Sequence, residues 1–166
     1  MKNKQICMTF LMLFLMMSAA SAMGLSPEVS DRTASMRPCA AAFVPISNVA
    51  GTAAQVIAET NLDRMRYGLQ PLRESAELNR AAAVRAREIA EKFSHMRPDG
   101  SRWNTVSSVA LAENIARGHN SPARVAAAWM SSPGHRANIL RESYGSIGVA
   151  ALNVNGVMHW VQLFGR

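Results

Sequence analysis

Two histidines and one carboxylate occupy the polar, turn-rich stretches of an otherwise apolar chain. His95 lies in the run from Phe93 to Ser101, Glu113 in Leu111-Ala112-Glu113-Asn114-Ile115-Ala116, and His135 in the run from Ser132 to Leu140. Two imidazoles and a carboxylate are a common zinc ligand set, and equally an acid–base group. His135 falls near the third position of a helix opened by Ser132 and Pro133, where the positive end of the helix dipole disfavours imidazolium. The neutral ring can then bind a metal or accept a proton. His95 falls just past the end of a helix, where the carbonyl end favours the protonated ring. Glu113, set among apolar residues, needs partners, because an unpaired buried carboxylate is costly. The three are 18 and 22 positions apart, on different elements, and no short motif such as His-Glu-x-x-His fixes two of them on one helical face. Each has a plainer reading: a capping histidine at 95, an exposed glutamate opening a helix at 113, a packing histidine at 135.

Other residues set the surroundings. His159 shares a strand face with Val157, Val161 and Leu163 and reads as a core or groove-wall histidine, while His119 reads as a surface-loop residue. Trp129 and Trp160 look like core anchors; Trp103, after a Pro-Asp-Gly turn, suits a cleft wall. There is no glycine-rich phosphate loop and no Gly-x-Ser-x-Gly elbow. Cys39 has no histidine near it in sequence, which argues against a cysteine nucleophile.

Helical spacing of Ala54, Ile57, Ala58, Leu62 and Met65 predicts a first helix from near Gly51, ended by Gly68. A second follows the N-cap Ser75, with an apolar stripe of Leu78, Ala82, Ala86, Ile89 and Phe93. Pro98-Asp99-Gly100 predicts a turn. Ser121-Pro122 and Ser132-Pro133 each predict a helix start, the first with a stripe of Val125, Ala128 and Trp129. Residues 147–152 and 157–164 read as strands joined at Asn155-Gly156, a strong hairpin signal. Strands gathered at the end, after several helices, predict an α+β fold.

Residues 1–22 read as a secretory signal peptide: Lys2 and Lys4, an apolar run of about a dozen residues, then Ala20 and Ala22 at a small-x-small cleavage site. The run is too short to span a membrane of roughly 30 Å. Residues 23–50 read as a linker or N-terminal arm, and 51–166 as the domain. Cleavage would leave Cys39 as the only cysteine, a free thiol or an intermolecular link, so packing rather than disulfides must stabilise the domain. It would also remove two lysines and no acid, lowering the formal net charge from +7 to +5. Such a charge favours anionic envelope polymers or lipid surfaces, and equally serves solubility. Export argues against nucleic acid as partner. The expected product is a monomer, periplasmic or extracellular.

At these residues the sequence resembles the bacterial branch of the CAP superfamily (cysteine-rich secretory proteins, antigen 5, pathogenesis-related proteins), the SCP-like extracellular proteins. The strongest pieces are Phe93 to Ser101, Ala112 to Ala116, Ala128 to Leu140, and His159-Trp160-Val161-Gln162-Leu163-Phe164-Gly165. The resemblance implies a three-layer α-β-α sandwich around a small antiparallel sheet, and an open cleft lined by a His/Glu cluster that can hold zinc or another divalent ion. It implies metal or cleft roles for His95, Glu113, His135 and His159, with Ser132 and Trp103 in the cleft. Two departures stand out. Ala112 replaces the glycine usual before Glu-Asn, and Ser131 or Ser132 stands where a second glutamate is expected. The resemblance does not carry one reaction with it. A binding module for a lipid, glycan or peptide and a metal-assisted hydrolase of peptide or cell-wall bonds are both compatible with it.

Overall fold

The computed structural model describes the backbone from Ile46 onward and side chains from Thr52 onward. The expected signal peptide, most of the arm and Cys39 lie outside the described residues. The elements run α1 (Ile46–Arg66), β1 (Arg73–Glu74), α2 (Ala76–Glu91), a 3-10 turn (Trp103–Val106), β2 (Ala112–Arg117), α3 (Pro122–Ser131), α4 (Pro133–Ile139), β3 (Ser146–Val154) and β4 (Val157–Gly165). The first helix thus begins five residues before Gly51, inside the stretch read as arm.

The sheet has the order β1-β3-β4-β2. β3 and β4 form an antiparallel hairpin through Asn155 and Gly156, both at positive φ, as a two-residue primed turn requires. β2 adds antiparallel to β4, and the two-residue β1 adds parallel to β3. Alternation along β4 splits the core in two. Trp160 and Phe164 face a layer that contains Val56 and Ile57 of α1 and Val125 and Trp129 of α3. Val161 and Leu163 face α2, through Leu78, Ala82, Ala86 and Ile89. The result is the α-β-α sandwich, with β1 and β2 as strands that apolar periodicity did not reveal.

Both of the caps expected at Ser75 and Ser121 form, each hydroxyl accepting from the amide three residues on. Ser132 is the N-cap of α4 by position, but its side chain makes no capping bond. The stripes need correction. On α1 the buried residues are Ala53, Val56, Ile57, Thr60 and Arg64, whereas Leu62 and Met65 are exposed. On α2 the stripe gains Ala81 and Arg85, and Phe93, beyond the helix end, is 48% exposed. On α3 Ala126 rather than Ala128 is buried. In α1 and α2 the residue that displaces the apolar choice is an arginine, and both arginines position the site.

Gly148 marks the closest approach of α2 to the sheet. A Cβ there would overlap the Leu78 carbonyl carbon and Cβ and stand 2.5 Å from the Asn79 nitrogen. Asn79 uses this proximity: its Oδ1 accepts from the Val149 amide at 2.9 Å.

Candidate functional site

His95 and Trp103 are brought together by a small hairpin. The Trp103 amide donates to the His95 carbonyl at 3.1 Å, the Arg97 amide donates to Ser101 at 2.8 Å, and Gly100 takes the positive φ of the turn. The Pro98-Asp99-Gly100 turn thus exists to hold these two side chains beside the sheet edge. Glu113 comes from the edge strand β2, not from a helix start. Its register partner is Leu163, so it points to the α2 side.

Glu113 is one of the most enclosed carboxylates in the described chain, its side chain 0% exposed against 54% for His95. Arg85 of α2, 1% exposed, holds it through Nε to Oε2 at 2.7 Å and Nη2 to Oε1 at 3.4 Å. His95 Nδ1 lies 2.8 Å from Oε1. Arg85 also pairs with Glu88 at 2.5 Å and donates to the Ser94 carbonyl at 2.8 Å. Arg97 closes the chain on the far side of Glu88 at 2.7 Å. Charges therefore alternate along Arg97, Glu88, Arg85 and Glu113, and the chain ends on the His95 ring. Burial works against the Arg85 guanidinium, but hydrogen bonds and the charges of Glu113 and Glu88 outweigh it and raise its pKa. Burial likewise works against the Glu88 carboxylate, and its arginine partners outweigh that and lower its pKa.

A second buried polar chain fixes α4 against β2. Gln162 donates to Thr60 at 2.8 Å, Asn114 donates to Gln162 at 3.0 Å and to the His135 carbonyl at 3.2 Å, and Asn138 donates to Asn114 Oδ1 at 2.9 Å. Asn138 also reaches the Glu113 carbonyl at 3.4 Å, and the Trp129 indole reaches the Ile115 carbonyl at 3.3 Å. These two contacts cover outward carbonyls of an edge strand that would otherwise invite another strand. Arg64, 1% exposed, donates to the carbonyls of Gln70, Ile139 and Arg141 at 2.8, 2.7 and 3.0 Å, and to Tyr144 at 3.5 Å. It thereby satisfies the last carbonyl of α4, that of Ile139, and holds the following loop.

These supports surround an open recess of about 330 Å³ lined by His95, Trp103, Leu111, Ala112, Glu113, Asn138, Arg141 and Tyr144. The sequence expectations for His95, Glu113 and Trp103 meet in it. Ser132 and His135 are not among its walls. His135 lies close enough that a charge on His95, after burial, helps to lower its pKa, so enclosure and a like charge favour its neutral ring. His159 pairs across the sheet with Arg117, four residues along β4 from the partner of Glu113, about 13 Å at strand rise. Its Nδ1 lies 3.1 Å from the Val157 carbonyl. Arg85, Asn138, Arg141 and Tyr144 were missed. Arg85 had a signal: a cation three residues after Ala82 and four before Ile89 sits on the apolar arc and demands a buried acid, which Glu113 supplies.

The metal set read from the resemblance does not fit this geometry. Among the described residues no group of three or more His, Cys, Asp or Glu side chains is placed to hold an ion. Both Glu113 oxygens are engaged, His159 lies elsewhere, and Arg141 brings positive charge into the wall.

The low pKa of His135 has a consequence for stability. Its folded-state value lies below the ordinary 6.5, so the unfolded chain takes up more protons as the pH falls. Stability is expected to decline from about pH 6.5 down to the depressed folded value. Glu88, also depressed, adds a separate loss below its ordinary 4.5. Urea midpoints between about pH 8 and 2 should resolve two declines, and His135→Gln should flatten only the upper one.

A three-layer sandwich with a His/Glu recess beside its edge strand defines an SCP-type domain. The chain belongs to the CAP family: the profile described as the cysteine-rich secretory protein family matches residues 57–164. It is 33% identical over 126 residues to the uncharacterized protein YkwD of Bacillus subtilis (strain 168), covering 71% of this chain and 48% of that one. It also matches the crystal structure of an extracellular protein containing an SCP domain from Bacillus anthracis str. Ames, with a TM-score of 0.66 and 25% identity, over 71% of this chain and 41% of that one. An outer surface protein of Borrelia burgdorferi shares the fold at a TM-score of 0.59 and 22% identity, over 67% of this chain and 89% of that one. The chain thus spans about half the length, or less, of the first two relatives. No helix among the described residues is long and apolar enough to cross a membrane.

Proposed function

We propose that this protein is an exported binding module whose recess at His95 and Trp103 captures an envelope or host ligand. The observation that carries this reading is the engagement of Glu113. A general base or metal ligand needs an oxygen open to its target, and this carboxylate is fully enclosed, held by Arg85 on both oxygens and by His95 on Oε1. The same bond orients His95 and leaves its Nε2 as the ring nitrogen available to a ligand. Among the described residues, no serine, threonine or cysteine lines the recess to act as nucleophile. The names of the extracellular and outer surface relatives agree with export.

The test is incubation of the purified protein with intact cell-wall sacculi, with and without added zinc. Retention on the sacculi without release of soluble fragments is expected, and His95→Ala with Trp103→Ala should reduce retention about tenfold or more. Steady release of free amines or reducing ends, lost in His95→Ala, would replace binding by hydrolysis.

A further inference from the structure

The charge balance of the recess says more about its ligand, and the following rests on the binding reading above. Among the described residues, Glu113 is the one acidic side chain in the walls, and Arg85 beside it offsets its charge. Arg141 remains. It is exposed, forms none of the ion pairs among the described residues, and its guanidinium lies 5.6 Å from the centre of the Tyr144 ring. Tyr144 is itself stacked on Phe164 at 5.6 Å between ring centres. The backbone of Arg141 is tied down by Arg64, so the cation stands on a fixed base. A planar guanidinium held on an aromatic face and free of a carboxylate partner is arranged to take one bidentately. In the same recess, the bond from Nδ1 to Glu113 leaves Nε2 of His95 as its second ring nitrogen.

Two further walls narrow the choice. Asn138 spends its amide nitrogen on Asn114 and Glu113, which leaves its side-chain oxygen as an acceptor for a hydroxyl. Trp103 offers a half-buried aromatic surface. Its indole also differs from the other two, since those of Trp129 and Trp160 donate to the Ile115 and His119 carbonyls.

We propose that the recess binds an acidic saccharide, its carboxylate on Arg141 and the His95 ring nitrogen, a hydroxyl on Asn138, and its ring face against Trp103. The probe is D-glucuronate, with D-glucose and acetate as controls, titrated into the ¹⁵N-labelled full chain while the three tryptophan indole signals are followed. The Trp103 signal is expected to move with glucuronate while those of Trp129 and Trp160 stay in place. Glucose and acetate should each bind at least about tenfold more weakly, and Arg141→Gln should lose a similar factor for glucuronate, as removal of a charge-assisted pair does. Arg141→Lys should recover part of it. Unmoved Trp129 and Trp160 signals in the variants show an intact fold. Glucose binding as tightly as glucuronate, with no effect of Arg141→Gln, would overturn the carboxylate assignment and leave the binding reading standing. Acetate matching glucuronate would overturn the saccharide. A Trp103 signal unmoved by all three would overturn the proposal, and retention on sacculi decides separately whether the recess binds at all.

Discussion

Replacing Arg85 by leucine should cost about 3–5 kcal/mol, the usual penalty for stranding one member of a buried ion pair. The side chain is 1% exposed and serves two carboxylates and a carbonyl at once. Its loss leaves Glu113 enclosed with only the partly exposed His95 as partner, and releases the chain after α2 that leads into the His95 hairpin. Lysine should rescue little, since one ammonium cannot bond Glu113, Glu88 and the Ser94 carbonyl in the geometry of a fork. The decisive comparison is a double-mutant cycle with Glu113→Leu, read from urea denaturation. The pair Arg85→Leu/Glu113→Leu should be markedly more stable than the sum of the singles implies. Additive losses would mean that the two groups do not depend on each other.

The second large effect is expected at Gly148. Alanine there meets the backbone of α2 at Leu78 and Asn79, where no flexible side chain can give way. Relief requires the helix to move off β3 as a body. Overpacking of this kind costs about 1–3 kcal/mol, and contact with backbone places this site at the upper end or beyond. The displaced helix also carries Arg85, so the loss should reach the recess: the Trp103 and His95 resonances should shift although both residues lie beyond the far end of α2. A Gly148→Ala protein with unchanged stability would show that α2 rides further from the sheet than described.

Much of this molecule was readable beforehand because its signals are local. Ser75 and Ser121 as caps, the Asn155-Gly156 hairpin and the Pro98-Asp99-Gly100 turn each depend on a few adjacent residues. The helices' inner faces were harder, because Thr60, Arg64 and Arg85 are buried polar residues that apolar periodicity discards. β2 was passed over for the same reason: Glu113 and Asn114 are polar, yet its burial is nearly continuous. The site was half legible. His95, Glu113 and Trp103 stood out by type, but their meeting depends on the strand register. The partner that changes the chemistry of Glu113 lies 28 residues away on α2. His159 joined the set through the resemblance, and the register separates it from Glu113.

The run of polar side chains from the Thr60 hydroxyl through the amides of Gln162 and Asn114 to Asn138 also acts during assembly, as a proofreader of strand pairing. Sliding β2 by one position against β4 would set Glu113 or Ile115 opposite Gln162 and turn Asn114 toward α2. It would strand four polar groups that now satisfy one another, each at a penalty of about 1–3 kcal/mol. Apolar residues in their places would pack nearly as well in either alignment. With this chain of amides only one alignment is cheap, and it is the one that delivers Glu113 to Arg85.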